Sequence, residues 1–243
     1  MADELDELFD DPAERRAYED FLEAQKRAGA EHFELDTPAL VCRWRMAGKR
    51  VPLLNRHIRA LSQRTVNGAP LTSNMLSWAK QHVEWSLAEG DAVPDGVVML
   101  VIDVNGNAAM TVGAFESLPD RAVPALVARA EASAHEAEAT GVAPEVLCAM
   151  APDGALAVAL EPGAHACGIV SLVEQLAETR GVAVRRAGAD PAALAQDMAS
   201  AADAPALFLA SDEFGIAPAA DARHPFIDFL AAGYEKLRDA TRR

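Results

Sequence analysis

Residues 167–185 read CGIVSLVEQLAETRGVAVR, and this stretch decides the fold. Cys167 leads from a turn into a helix over Gly168–Arg180, and a short strand, Val182–Arg185, follows. Free backbone N–H groups at a helix start attract anions. Gly168, Ile169, Val170 and Ser171 therefore form a candidate anion-binding turn, a weak signal alone because every helix has an N-terminus. Working outward toward the C-terminus, Asp190-Pro191 starts another helix. Ala206–Ala210 reads as a strand, Phe214–Ala217 as a second, and His224-Pro225 opens a last helix reaching Thr241. Toward the N-terminus lie strands Glu145–Met150 and Ala155–Leu160, flanking the turn Pro152-Asp153-Gly154. Before them comes an alanine-rich helix over Pro124–Thr140. This alternation is that of an α/β half.

The first half is also α/β. Two apolar runs between Gly96 and Val112 flank Asn105-Gly106, the dipeptide favoured in type I′ hairpins. Ala39–Met46, a turn at Ala47-Gly48 and a return over Val51–Leu54 read as another hairpin. Helices are expected over His57–Thr65 and Thr72–Ala88, the second capped by Thr72 or Ser73. Its Met75, Trp78, Ala79, His82, Val83 and Trp85 fall on a broad apolar face, where His82 reads as a packing residue rather than a ligand. Residues 1–35 form an acidic extension. A capping pattern at Asp11, Pro12 and Glu14 opens a helix there that carries Tyr18, Phe21, Leu22 and Gln25 to about Gly29. Leu118-Pro119 marks a boundary. The expected organisation is thus 1–35 as the helical extension, 36–117 as a small α/β domain and 118–243 as a larger one.

Composition narrows the function classes. With 243 residues, 51% hydrophobic, the chain can bury a real core. A formal net charge of −15 repels phosphate backbones and anionic bilayers, so neither nucleic acid nor membrane is an expected partner. Cys42, Cys148 and Cys167 are too few and too scattered for a disulfide framework or a zinc site, and each sits in an apolar stretch. No basic leader precedes an apolar run, and no apolar run is long enough to span a bilayer as a helix. The expected compartment is the cytoplasm. No P-loop, dinucleotide-type glycine loop, HExxH, GxSxG or CxxC is present.

The order of segments carries a resemblance. Gly168-Ile169-Val170-Ser171, then Leu176-Ala177, Gly181-Val182-Ala183-Val184, and Ala206 to Asp212 followed by Pro218 resemble the C-terminal domain of the class IV aminotransferases. That family comprises the branched-chain, D-amino-acid and aminodeoxychorismate-lyase types. Glu136-Ala137, Gly141 and Asp153-Gly154 resemble its EA…G…DG stretch, and His57-Ile58-Arg59-Ala60-Leu61 its H-L-x-R-L helix start. The likeness spans roughly residues 36–243 and rests on order, not on one specific motif. It implies pyridoxal phosphate (PLP) fold type IV, with a small α/β domain, a larger domain and a homodimer holding the cofactor between domains.

Carried over position by position, the family's cofactor site is missing. Its Schiff-base lysine would lie near Leu118–Pro124, but the only lysines are Lys26, Lys49, Lys80 and Lys236. The glutamate that pairs with the pyridine nitrogen falls near Val158, with Glu161 the only later candidate. The phosphate-binding arginine aligns with Ala60, one position from Arg59. The last threonine of the T-G-T strand end aligns with Asp212, whose carboxylate repels a phosphate dianion. The segment between Gly154 and Cys167 is too short for the family's further strand and hairpin. The resemblance therefore implies a degenerate, non-catalytic protein without PLP, acting through dimerisation, through pairing with an active relative, or through a small ligand. The remnant pocket would be lined by Gly168, Ile169, Val170, Ser171, Ser211 and Asp212. One alternative is an active PLP aminotransferase or aminodeoxychorismate-lyase-like enzyme using Lys80. Another is an enzyme of different chemistry using Asp212, Glu213 or Cys167. A thiol at a helix N-terminus would favour the thiolate, but apolar neighbours favour a buried structural cysteine.

Overall fold

The described residues open on an antiparallel ribbon. A computed structural model describes residues 35–89, 94–201 and 206–242; the helix expected between Asp11 and Gly29 lies outside them. Strand β1 (Pro38–Met46) pairs along its whole length with β4 (Gly96–Asp103), which also pairs with β5 (Ala108–Gly113), in the order β1-β4-β5. In β4 Val98, Leu100 and Ile102 are fully buried and alternate with half-buried Val97, Met99 and Val101, the period-two pattern of a sheet with one face on the core.

The expected hairpin between 39–46 and 51–54 does not form. Ala47 and Arg50 make one isolated bridge, after which Pro52, with no N–H to offer a ladder, and left-handed Leu53 lead into helix α1 (Leu54–Leu61). That helix is also shorter than expected, because Thr65–Val66 (β2) and Ala69–Pro70 (β3) pair as a small hairpin. Its two-residue loop, Asn67-Gly68, has positive φ at both positions, the type I′ requirement. The loop at Asn105-Gly106 differs. There only Gly106 is left-handed, and Asp103 Oδ1 accepts the N–H groups of Asn105 and Asn107, giving a three-residue turn. The hairpin was legible; its turn type was set by the Asp103 carboxylate.

Helix α2 (Ser73–Glu89) is capped by Thr72, whose Oγ1 accepts the Met75 N–H at 3.2 Å. Its buried seam is Ala79, Val83 and Leu87. Trp85 is 63% exposed, off the face the sequence assigned it, while His82 stacks on Trp78 as a packing partner.

The second sheet lies beyond helix α3 (Val123–Thr140). Its strands are β6 (Val146–Met150), β7 (Leu156–Val158), β8 (Val184–Arg186), β9 (Ala206–Ser211) and β10 (Gly215–Pro218), in the order β10-β9-β6-β7-β8. All pairs are antiparallel except β7 with β8, which are joined through helix α4 (Gly168–Thr179). Strands β6, β7 and β9 are buried on both faces, because α4, α5 (Pro191–Ala201) and α6 (Pro225–Thr241) cover the sheet together with α3. Phe208, Leu207, Leu147, Leu156 and Ile169 are fully buried there.

Two apolar clusters result, one around Trp44, Leu100 and Val83 and one around Phe208, Leu147 and Val173. The chain crosses between them by close backbone approach. At the end of α3, Gly141 has φ 64°, and a Cβ there would lie 2.2 Å from Ala39 O. Arg45 N–H donates to Asp212 C=O at 3.0 Å, tying β1 to the end of β9. The architecture is mixed α/β, as expected. Among the described residues no helix is long and apolar enough to cross a membrane, and no cluster of His, Cys, Asp and Glu has the makings of a metal site.

Candidate functional site

The ends of β1, α1, α3 and β9 and the start of α4 meet around a cavity of about 210 Å³. Strand β1 contributes Cys42, Arg43 and Trp44, and α1 contributes His57 and Ala60. Arg64 follows α1, Glu145 precedes β6, His165 and Cys167 precede α4, and Ser211, Asp212 and Glu213 end β9.

At one end of this cavity Asp212 organises a closed charge cluster. Its Oδ1 accepts the Ile169 N–H at 2.8 Å and its Oδ2 the Gly168 N–H at 3.3 Å. The same Oδ2 lies 3.1 Å from His57 Nδ1, without hydrogen-bond alignment. His57 is almost wholly buried and stacks on Trp44, with ring centroids 5.5 Å apart. Burial alone would raise the Asp212 pKa. His57, the Ile169 N–H and the Cys167 thiol outweigh it and hold the carboxyl below its ordinary value. Cys167 caps α4, its Sγ accepting the Val170 N–H at 3.5 Å. Burial first, then the Asp212 charge, push its thiol far above the usual range. Burial likewise pushes Cys42 up to about 12, so both cavity cysteines are neutral thiols.

The remaining acids and bases lie toward the rim. Arg129 donates to both oxygens of Glu145, from Nε to Oε2 at 3.1 Å and from Nη2 to Oε1, and Arg43 pairs with Glu136 through both terminal nitrogens. Glu145 is 8% exposed, and its N–H donates to Ser133 Oγ. Desolvation raises its pKa despite Arg129. Glu213 is raised too, by burial and then by Glu145. Arg64, whose charge is disfavoured by burial, reaches the cavity with no ion pair among the described residues.

The turn singled out in the sequence is thus brought against Asp212, though only Ser211 and Asp212 of the six candidate residues line the cavity. The N–H groups of Gly168 and Ile169 are engaged from within the chain. Ser171 Oγ donates to Gly168 C=O and accepts from Arg56, and Ser211 Oγ accepts the N–H groups of Glu213 and Phe214. Val158 is fully buried in β7 and is absent from the cavity lining, and Glu161 accepts the Ala189 N–H elsewhere. Among the described residues no lysine lines the cavity; Lys80 pairs with Glu84 across one turn of α2. Sequence reasoning did not single out Arg43, Arg64, Arg129 or Glu145. The available signal was charged residues embedded in apolar runs, as in LVCRWRM at 40–46 and PEVLCAM at 144–150.

No protein-family model and no curated protein sequence matches the chain. Solved structures do. A protein assigned as a branched-chain amino acid aminotransferase from Thermotoga maritima aligns with a TM-score of 0.53 at 12% identity, covering 86% of this chain and 92% of its own. One assigned as a 4-amino-4-deoxychorismate lyase from Legionella pneumophila aligns with a TM-score of 0.54 at 14% identity, covering 85% and 95%. At such identities the likeness speaks to architecture, and the chain carries the class IV aminotransferase-like fold.

Proposed function

We propose that this chain is a non-catalytic protein in the class IV aminotransferase-like fold, one that does not use PLP and acts by holding a small ligand in its cavity and by pairing with a second subunit. One observation carries the reading. The N–H groups that open α4, the donors best placed to hold an anionic group, are already engaged by the Asp212 carboxylate backed by His57. An external phosphate there would have to displace an internal anion and bear its repulsion. The residues around it agree. Imine formation needs an amine, and none lines the cavity among the described residues. Electron withdrawal through a ring nitrogen needs an acidic partner, and Val158 stands where the resemblance places one. Ala60 supplies no guanidinium.

The small-ligand part of the reading rests on Arg64, a cavity cation without an ion pair among the described residues, which favours a compact anion. The subunit pairing is with a second copy of this chain or with an active relative. An active PLP enzyme using Lys80 is disfavoured by that side chain's ion pair on the surface of α2, and a thiolate enzyme by the protonated, capped Cys167.

Adding PLP to the purified protein and recording the visible spectrum before and after borohydride tests the reading. No yellow species is expected, and no covalent adduct after reduction. A chromophore fixed to a lysine by reduction would overturn it. Sedimentation of the protein alone, expected to give a dimer mass if the second copy is the partner, addresses the pairing.

A further inference from the structure

A second pocket, of about 220 Å³, opens on the outer side of α1 and α4, lined by Arg56, Arg59, Gln63, Ser171, Glu174 and Arg186. Its charge balance is unusual for a chain of net charge −15. The single acid, Glu174, is consumed by Arg186, which donates to both its oxygens at 2.8 and 3.0 Å and turns its remaining nitrogen to Ala164 C=O. Among the described residues Arg56 bonds only neutral groups, Ser171 Oγ at 3.1 Å and the Gln175 side-chain oxygen. Arg59, one turn further along α1 and exposed, has no side-chain partner among the described residues. Desolvation, and then Arg59, make the Arg56 charge less favourable.

Two guanidinium groups therefore share one concave site, and among the described residues no carboxylate pairs with either of them. We infer that this pocket is a binding site for a phosphate dianion, free or as the terminal group of a small phosphomonoester. Each guanidinium presents a fork of N–H donors, and a phosphate offers three oxygens and two charges, enough to satisfy both forks at once. A monocarboxylate would leave one charge unmatched. The bonds of Arg56 to Ser171 and Gln175 hold it in place beforehand, which lowers the ordering cost of binding. The site is separate from the donors at Gly168 and Ile169 and does not depend on whether PLP binds.

The test is calorimetric titration of the full chain at constant ionic strength with inorganic phosphate, with glycerol phosphate and with acetate. Saturable binding of phosphate or glycerol phosphate, with acetate much weaker, is expected; preference for one of the two identifies the source. Arg59→Gln, which removes an exposed side chain with no bonded partner among the described residues, should weaken phosphate at least about tenfold. Arg56→Gln should do the same. Arg185→Gln, an exposed arginine outside the pocket, should leave it unchanged. No saturable phosphate binding, equal binding of acetate, or equal loss in Arg185→Gln and Arg59→Gln would each overturn the assignment.

Discussion

The two ends of the central cavity handle charge in opposite ways. Around Asp212 one carboxylate meets two backbone N–H groups and one imidazole, all nearly sealed from water. At the rim three glutamates, Glu136, Glu145 and Glu213, face two arginines, Arg43 and Arg129, all but Glu145 partly exposed. At the closed end His57, the Ile169 N–H and the Cys167 thiol outweigh burial, so the Asp212 carboxyl titrates low. At the rim burial dominates and neighbouring glutamates add to it, so Glu213 and Glu145 titrate high. A carboxylate with its donors in place makes a fixed structural unit, whereas one that burial disfavours keeps capacity to respond to a ligand or to pH.

Breaking the closed end should have the largest effect. Asp212→Ala strands two N–H groups and the buried His57, and should cost about 3 kcal/mol of stability, read from the urea midpoint at unchanged slope. A loss below about 1 kcal/mol would mean the cluster is not a structural unit. Gly168→Ala comes next. Its Cβ would lie 2.5 Å from His57 Nδ1, and the ring, stacked on Trp44, has nowhere to go. About 1–3 kcal/mol is expected. Gly113→Ala, with open space around its Cβ, is the control and should change little.

The pH dependence sharpens the contrast. The depressed Asp212 pKa gives stability that is present above the unfolded value of about 4 and lost as pH falls through the folded one. Asp212→Ala should flatten that acid limb. The raised Glu213 pKa has the opposite sign: the folded protein holds this proton more tightly, so stability declines as pH rises above about 4. Glu213→Gln should remove that decline and raise Tm at pH 7 by roughly 1 °C, the smallest effect because water screens the rim. A Tm that falls instead would show Glu213 to be a needed partner of Arg43 or Arg129.

Much of the fold could be read from residue patterns because local physics wrote them. The helix at Gly168, the strand at Ala206 and the hairpin between Gly96 and Val112 all carry apolar runs bounded by turn residues, and all formed. The reading failed where the partner was remote. Strand β1 was assigned to its sequence neighbour, yet it pairs with β4 some fifty residues away, because Pro52 blocks the local ladder. Of the site, Gly168, Ile169, Ser211 and Asp212 were legible as a turn and a strand end. Their joining was not, and neither was the recruitment of Arg129 and Glu145, which meet only because α3 packs beside β6.

By itself the sequence determined the alternation of elements, the absence of a lysine near Leu118–Pro124 and the surplus of acid. Those are properties of composition and short-range geometry. Tertiary structure alone decided that Asp212 serves as the internal anion of α4. A carboxylate can accept N–H groups forty-odd residues away only when the sheet and helix holding the two are packed to within hydrogen-bond distance.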